Sequence, residues 1–157
     1  MDAVVLRPLH PGERKPVLDV FSGLSERSRR LRFLGAKPRL LEQDVAYLVD
    51  VGCCGREAVA AFDGESGRTV GIARFVRDAD APEAEIAFEV VDDWQGRGIG
   101  KRLVADLAAL ARAQGILRLR ALVAHGNAPA LRLVRGLGDV LVHRYEGGEV
   151  ELVVRLP

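Results

Sequence analysis

The chain has 157 residues, 48% of them hydrophobic and 29% charged, with a formal net charge of +1. That is the profile of a globular domain able to bury a core, and it excludes a disordered segment. Near-neutral charge removes the global electrostatic case for a nucleic-acid or membrane partner, and the apolar runs are too short to span a bilayer. No signal peptide is legible, so a cytoplasmic location and a single domain over residues 1–157 are expected. Cys53 and Cys54 are adjacent, which gives neither a disulfide framework nor a metal pair. They are expected to be small buried packing residues, and no metal site is expected.

In chain order, Val4 to Arg7 reads as a strand ended by Pro8 and Pro11. From Gly12 to about Val51 the pattern is helical, with Leu41, Val45, Leu48 and Val49 on one face. Arg27, Arg29, Arg30 and Arg32 form the one basic cluster within it, expected as a solvated helix face. Ala58 to Asp63 and Thr69 to Arg77 are strands joined by a hairpin loop, Asp63-Gly64-Glu65-Ser66-Gly67. Ala84 to Val91 is a further strand. Leu103, Val104, Leu107, Leu110 and Ala111 mark a helix that begins around Gly98 to Gly100 and stops at Gly115. Leu117 to Ala124 is a strand, and Asn127 caps a helix with Pro129 in its first turn. Val140 to Tyr145 and Glu149 to Leu156 close the chain as a hairpin around Gly147-Gly148. This order of hairpins and β-α-β crossovers predicts a mixed α/β fold with helices on both faces of one sheet.

The stretch from Ala84 to Lys101 is the most informative. It runs from a strand through a glycine-rich turn into a helix start, where unpaired N–H groups and the positive end of the peptide dipole favour an anion. Glycines there remove Cβ atoms and let a phosphate approach the main chain. It is not a Walker A loop, because Gln95 stands where the first glycine belongs and Arg102 where Ser or Thr should follow Gly100-Lys101. Nor is it a dinucleotide fingerprint: the glycines run Gly96, Gly98, Gly100, and the next strand carries Arg118 and Arg120 rather than an acid.

Gln95-Gly96-Arg97-Gly98-Ile99-Gly100 resembles the Q/R-x-x-G-x-G/A signature of the GNAT superfamily of N-acetyltransferases. Asn127, Ala130, Leu133 and Gly138 match the family's second element, N-x-x-A-x-x-L-(Y)-x-x-x-G. The resemblance implies a mixed, mostly antiparallel sheet of six to seven strands flanked by about four helices, with acetyl-CoA as co-substrate. It implies that the main chain at Phe88 and Val90 pairs with pantetheine and offers an N–H to the thioester oxygen. It also implies that N–H groups from Gly96 to Lys101, including those of Arg97, Gly98, Ile99 and Gly100, hold the pyrophosphate. Arg97 and Lys101 would add charge there. Asn127 would reach the pantetheine arm, cap its helix, or do both. The basic cluster has a second reading, in which it steers the cofactor's 3′-phosphate or an acidic acceptor loop.

Alternation puts Glu85, Ala87 and Glu89 on one face of their strand and Ile86, Phe88 and Val90 on the other. Glu85 is the expected general base, ringed by apolar neighbours that favour proton uptake near neutrality; Glu89 is the substitute. The alternative for Glu85 is a solvent-facing carboxylate paired with Arg74 or Arg77. Two departures from the family stand out. Val134 occupies the position of the Tyr that protonates the leaving thiolate, leaving either solvent or another residue, His125 first, then His143 and Tyr145, as donor; Asp139 replaces the usual Phe.

Leu31-Arg32-Phe33-Leu34-Gly35, Pro38-Arg39-Leu40 and Gly71 to Asp78 are similar to bacterial protein-lysine acetyltransferases that modify acyl-CoA synthetases. The expected activity is therefore acetyl transfer from acetyl-CoA to a primary amine, a protein lysine in the first instance, by direct attack in a ternary complex. The alternatives are a catalytically silent acyl-CoA-binding or regulatory module and a small-molecule amine acetyltransferase. The chain is expected as a monomer or homodimer.

Overall fold

In the computed structural model, residues 3–157 are described. The strands are β1 (Val4–Pro8), β2 (Arg56–Asp63), β3 (Thr69–Arg77), β4 (Glu83–Val90), β5 (Arg118–Ala124), β6 (Asp139–Glu146) and β7 (Glu149–Arg155). The helices are α1 (Arg14–Gly23), α2 (Glu26–Phe33), α3 (Glu42–Leu48), α4 (Ile99–Ala113) and α5 (Ala128–Arg135), with one 3₁₀ turn at Asp92–Trp94. All seven strands form one sheet in the order β1-β2-β3-β4-β5-β7-β6. Every pairing is antiparallel except β4 with β5, whose parallel arrangement needs the crossover that α4 supplies.

The continuous helical stretch expected over 12–51 is three helices. Ser25 starts α2 by accepting a hydrogen bond from the Ser28 N–H, and Leu34 ends it in the left-handed region at φ 59°. Pro38 then precedes α3 in the extended segment between them, where proline disfavours helix.

β3 is buried without interruption from Thr69 to Phe75, because helices cover both faces of the sheet. On one face, Asp19 of α1 accepts from the Thr69 N–H and Leu48 of α3 accepts from Arg74. On the other, α4 lies so close that a Cβ on Gly71 would stand 2.9 Å from a Leu103 methyl. Phe75, Ile72, Leu103, Leu107, Leu119 and Leu152 are among the largest fully buried side chains. Burying each such side chain contributes about 1.5–3 kcal/mol, so the site rests on a firm layer.

One irregularity creates the site. β4 pairs with β5 only from Glu83–Arg118 to Ile86–Ala121, and from Ala87 onward the two strands part. Cys53 and Cys54 depart from expectation, since both are exposed, in a tight turn that places Cys54 at φ 59°. Their Sγ atoms are 2.9 Å apart, and that thiol–thiol hydrogen bond holds the Cys53 thiol above its ordinary pKa.

Candidate active site

The Val91 N–H donates to Val70 O on β3, so alternation turns the main chain of Phe88 and Val90 the other way, into the gap left by β5. Gln95 ties the following loop to this strand, its Nε2 donating to Val90 O at 2.9 Å. Gly96 and Gly98 have φ of 77° and 80°, and a Cβ on either would meet nothing within 4 Å. The open space lies before the first turn of α4, where no side chain caps the helix. A helix start that no side chain caps, its dipole and an open approach together fit a pyrophosphate.

Gly100 serves differently. A Cβ there would lie 3.1 Å from a Leu133 methyl, so this glycine lets α4 pack against α5. Ile99 has its side chain in the core and could offer only backbone.

A groove of about 570 Å³ runs along this surface, lined among others by Arg27, Phe88, Val90, Lys101, Asn127 and Leu133. Arg97 is not among the lining residues: it stacks over Trp94 at 4.5 Å and donates to Asp93 O. Asn127 lines the groove and also caps α5, accepting from the Ala130 N–H at 3.4 Å. Arg27 and Arg132 line it too, and neither is singled out by the family motif. The basic cluster was the signal for Arg27.

That cluster is not a uniform solvated face. Arg29 lies over the Phe21 ring at 4.0 Å and donates to Phe21 O and Pro38 O. Arg32 is nearly buried: its side chain is 14% exposed and its Nε donates to Glu89 Oε2 at 2.6 Å, with Glu89 itself 11% exposed. Arg32 is also the one residue shared by the groove and a second cavity of about 430 Å³.

Glu85 lines this second cavity. The expected ring of apolar neighbours is not there: the side chain is 55% exposed and accepts from Arg120 Nη1 at 3.1 Å. The reason is register, since β5 pairs Arg120 directly with Glu85. Glu151 holds the other edge of Arg120 through a hydrogen bond to Nε, which raises the guanidinium pKa. Arg74, opposite Ala87 on β3, lines the same cavity and is 7% exposed. Burial pushes its guanidinium down to about 10, opposed by the charge of Glu89.

Val134 is fully buried, part of the core under α5. His125 packs edge-on against Tyr145 at 4.8 Å, and His143 lies 3.3 Å from Arg135. None of Val134, His125, His143 and Tyr145 lines either cavity.

A parted strand pair leading to the glycine-rich start of a helix fits a ligand with a pyrophosphate, and the family match gives the class, an acetyltransferase. Residues 28–139 match the model of the Acetyltransferase (GNAT) family, and the chain belongs to that family. Over 156 residues, 97% of the chain, it is 35% identical to the acetyltransferase Pat of Mycolicibacterium smegmatis, of which the match covers 45%. It is 32% identical over 143 residues to an acetyltransferase of Pseudomonas aeruginosa, covering 87% of the chain and 75% of that protein. The chain thus spans less than half the length of the first of these relatives. Among solved structures, the GNAT domain of S. lividans PAT superposes with a TM-score of 0.85 at 29% identity, covering 99% of this chain and 97% of that one.

Proposed function

We propose that this chain transfers the acetyl group of acetyl-CoA directly to a primary amine, a protein lysine in the first instance, with Glu85 as general base. The observation that carries this reading is the meeting of the cofactor groove and the Glu85 cavity at Arg32. Pantetheine laid along Phe88 and Val90 would bring the thioester to the point where the strands part. An amine entering from the second cavity would reach it from the other side.

In this scheme Glu85 takes the proton of the ammonium, and the freed amine attacks the thioester carbonyl. The N–C bond forms and the C–S bond breaks, the nitrogen gives up its second proton to solvent to become the amide, and the thiolate takes its proton from solvent, since Val134 offers none. A main-chain N–H at Phe88 or Val90 would steady the oxyanion. Glu85 suits the base better than Glu89, because it opens to solvent while Glu89 is closed against Arg32. The resemblance of 31–40 and 71–78 to protein-lysine acetyltransferases supports a lysine acceptor. The buried Val134 favours the rival, a silent acyl-CoA-binding module.

Calorimetric titration with acetyl-CoA, followed in the same sample by thiol release on adding lysine peptides and a polyamine panel, tests this. Binding with acceptor-dependent release is expected. Binding without release across the panel would move the reading to the silent module.

A further inference from the structure

Arg74 is the only buried charged residue among those described. Its Nη1 donates to Leu48 O at 2.8 Å, yet its Nε and Nη2 are buried without a hydrogen-bond partner. Buried cationic N–H groups without acceptors are costly, and a native fold keeps them where something further completes the site. Nε and Nη2 form the side-on edge of a guanidinium, whose parallel N–H groups match the two oxygens of a carboxylate.

Among the described residues none supplies a carboxylate to that edge. Glu89 attracts Arg74 electrostatically, but its hydrogen bond goes to Arg32. Two cations therefore share one anion, and the junction keeps a positive charge. The cavity's other charged lining residues are Asp78, Glu83, Glu85 and Arg120, with Arg120 between Glu85 and Glu151 and Glu83 3.7 Å from Arg118. Along β4 the order is acid at Glu83 and Glu85, then cation at Arg74 opposite Ala87. Two residues of strand separate the positions, about 7 Å. An ammonium fits one end and a carboxylate the other.

We infer that Arg74 is the anion-holding half of the acceptor site, and that the acceptor carries a carboxylate a few bonds from its reacting amine. A free amino acid and a lysine flanked by an acidic residue share this chemistry. The inference rests on the reading of this cavity as the acceptor's.

The test uses the whole chain with acetyl-CoA and two matched acceptor pairs. One is δ-aminovalerate against pentylamine; the other is a lysine peptide with glutamate beside the lysine against the same peptide with glutamine. In at least one pair the carboxylate member is expected to have a kcat/KM higher by about tenfold or more. In Arg74→Gln that ratio should collapse towards unity, and in Arg74→Lys, which keeps charge but loses the fork, it should fall part of the way. The pair that shows the preference names the source. Equal values within both pairs, or a preference that survives in Arg74→Gln, overturns the inference while leaving the transferase reading intact. If Arg74→Gln does not fold by circular dichroism, the Arg74→Lys ratio decides. If acetyl-CoA binds but no acceptor releases thiol, the transferase reading fails. Calorimetry of δ-aminovalerate on the acetyl-CoA complex then decides, with affinity expected to drop about tenfold in the variant and equal affinity overturning the subsite.

Discussion

Arg32 Nε and Glu89 Oε2 stand 2.6 Å apart at the boundary between the groove along Phe88 and Val90 and the cavity that Glu85 lines. The pair joins α2 to β4, elements far apart in sequence, and both side chains are largely withdrawn from water. Arg74 adds a second cation to the same carboxylate's field. Removing the anion leaves the buried Arg74 guanidinium and the nearly buried Arg32 without the carboxylate they share, and breaking such a pair costs roughly 3–5 kcal/mol. Glu89→Gln should therefore lower the urea-unfolding free energy by about that much. A loss under about 1 kcal/mol, the size of an exposed pair, would show that water reaches it.

Glu85 and Glu89 share a strand face but differ in surroundings, and that separates their mutants. Glu85→Gln should keep the affinity for acetyl-CoA and lower the rate by about a hundredfold or more, the usual weight of a general base. The alkaline rise of the rate should flatten as well. A Glu85→Gln enzyme that keeps the wild-type pH profile would remove Glu85 as base.

Much of this arrangement was legible in the sequence. The strand periods, the glycine-rich turn and the Asn127-Pro129 helix start are local signals, set by the conformational needs of a few adjacent residues. What the sequence hid depends on long-range register. Arg120 meets Glu85 only because β5 pairs in parallel with β4, and the nearer arginines, Arg74 and Arg77, looked more natural partners. Arg32 reads as one of four surface arginines until α2 is laid against β4. The break at Leu34 was likewise unreadable, since leucine gives no warning of a left-handed φ. Cys53 and Cys54 look like small apolar residues, and only the turn between α3 and β2 exposes them.

The two loop glycines can be tested apart from stability. Gly98 has φ 80° with open space where a Cβ would go, so Gly98→Ala meets only backbone strain, about 1–2 kcal/mol. In the same variant the new methyl would stand where the pyrophosphate approaches. Acetyl-CoA affinity by calorimetry should fall about tenfold or more, and further in Gly98→Val. Undiminished affinity in a folded Gly98→Val would place the pyrophosphate elsewhere.

An acid-side dependence is expected from β1. Arg7 donates to both carboxylate oxygens of Glu13, at 2.9 and 2.6 Å. That hydrogen bonding, helped by the His10 N–H and by the charge of Arg7, holds the Glu13 carboxyl down to about 2 against the burial that opposes it. A carboxyl depressed on folding contributes stability that is fully present above its unfolded pKa and is lost as pH falls through its folded one. The contribution should therefore fade between about pH 4.5 and about pH 2. Melting temperatures of wild type and Glu13→Gln, measured across this range, should differ at neutral pH and converge at the acid end. A gap that stays constant would mean that the Arg7–Glu13 bond is not what distinguishes them.

Restoring the family's tyrosine should not restore a proton donor. Val134 has no exposed surface and is the part of α5, with Ala130 on the same helix, that packs into the core. A tyrosine there adds a ring to a filled space and takes a hydroxyl out of water, and overpacking alone costs about 1–3 kcal/mol. Val134→Tyr should melt earlier than wild type and release thiol no faster. A variant of unchanged stability with a faster rate would mean that the side chain turns out of the core towards the groove, past Leu133, and that this position can still serve the leaving thiolate.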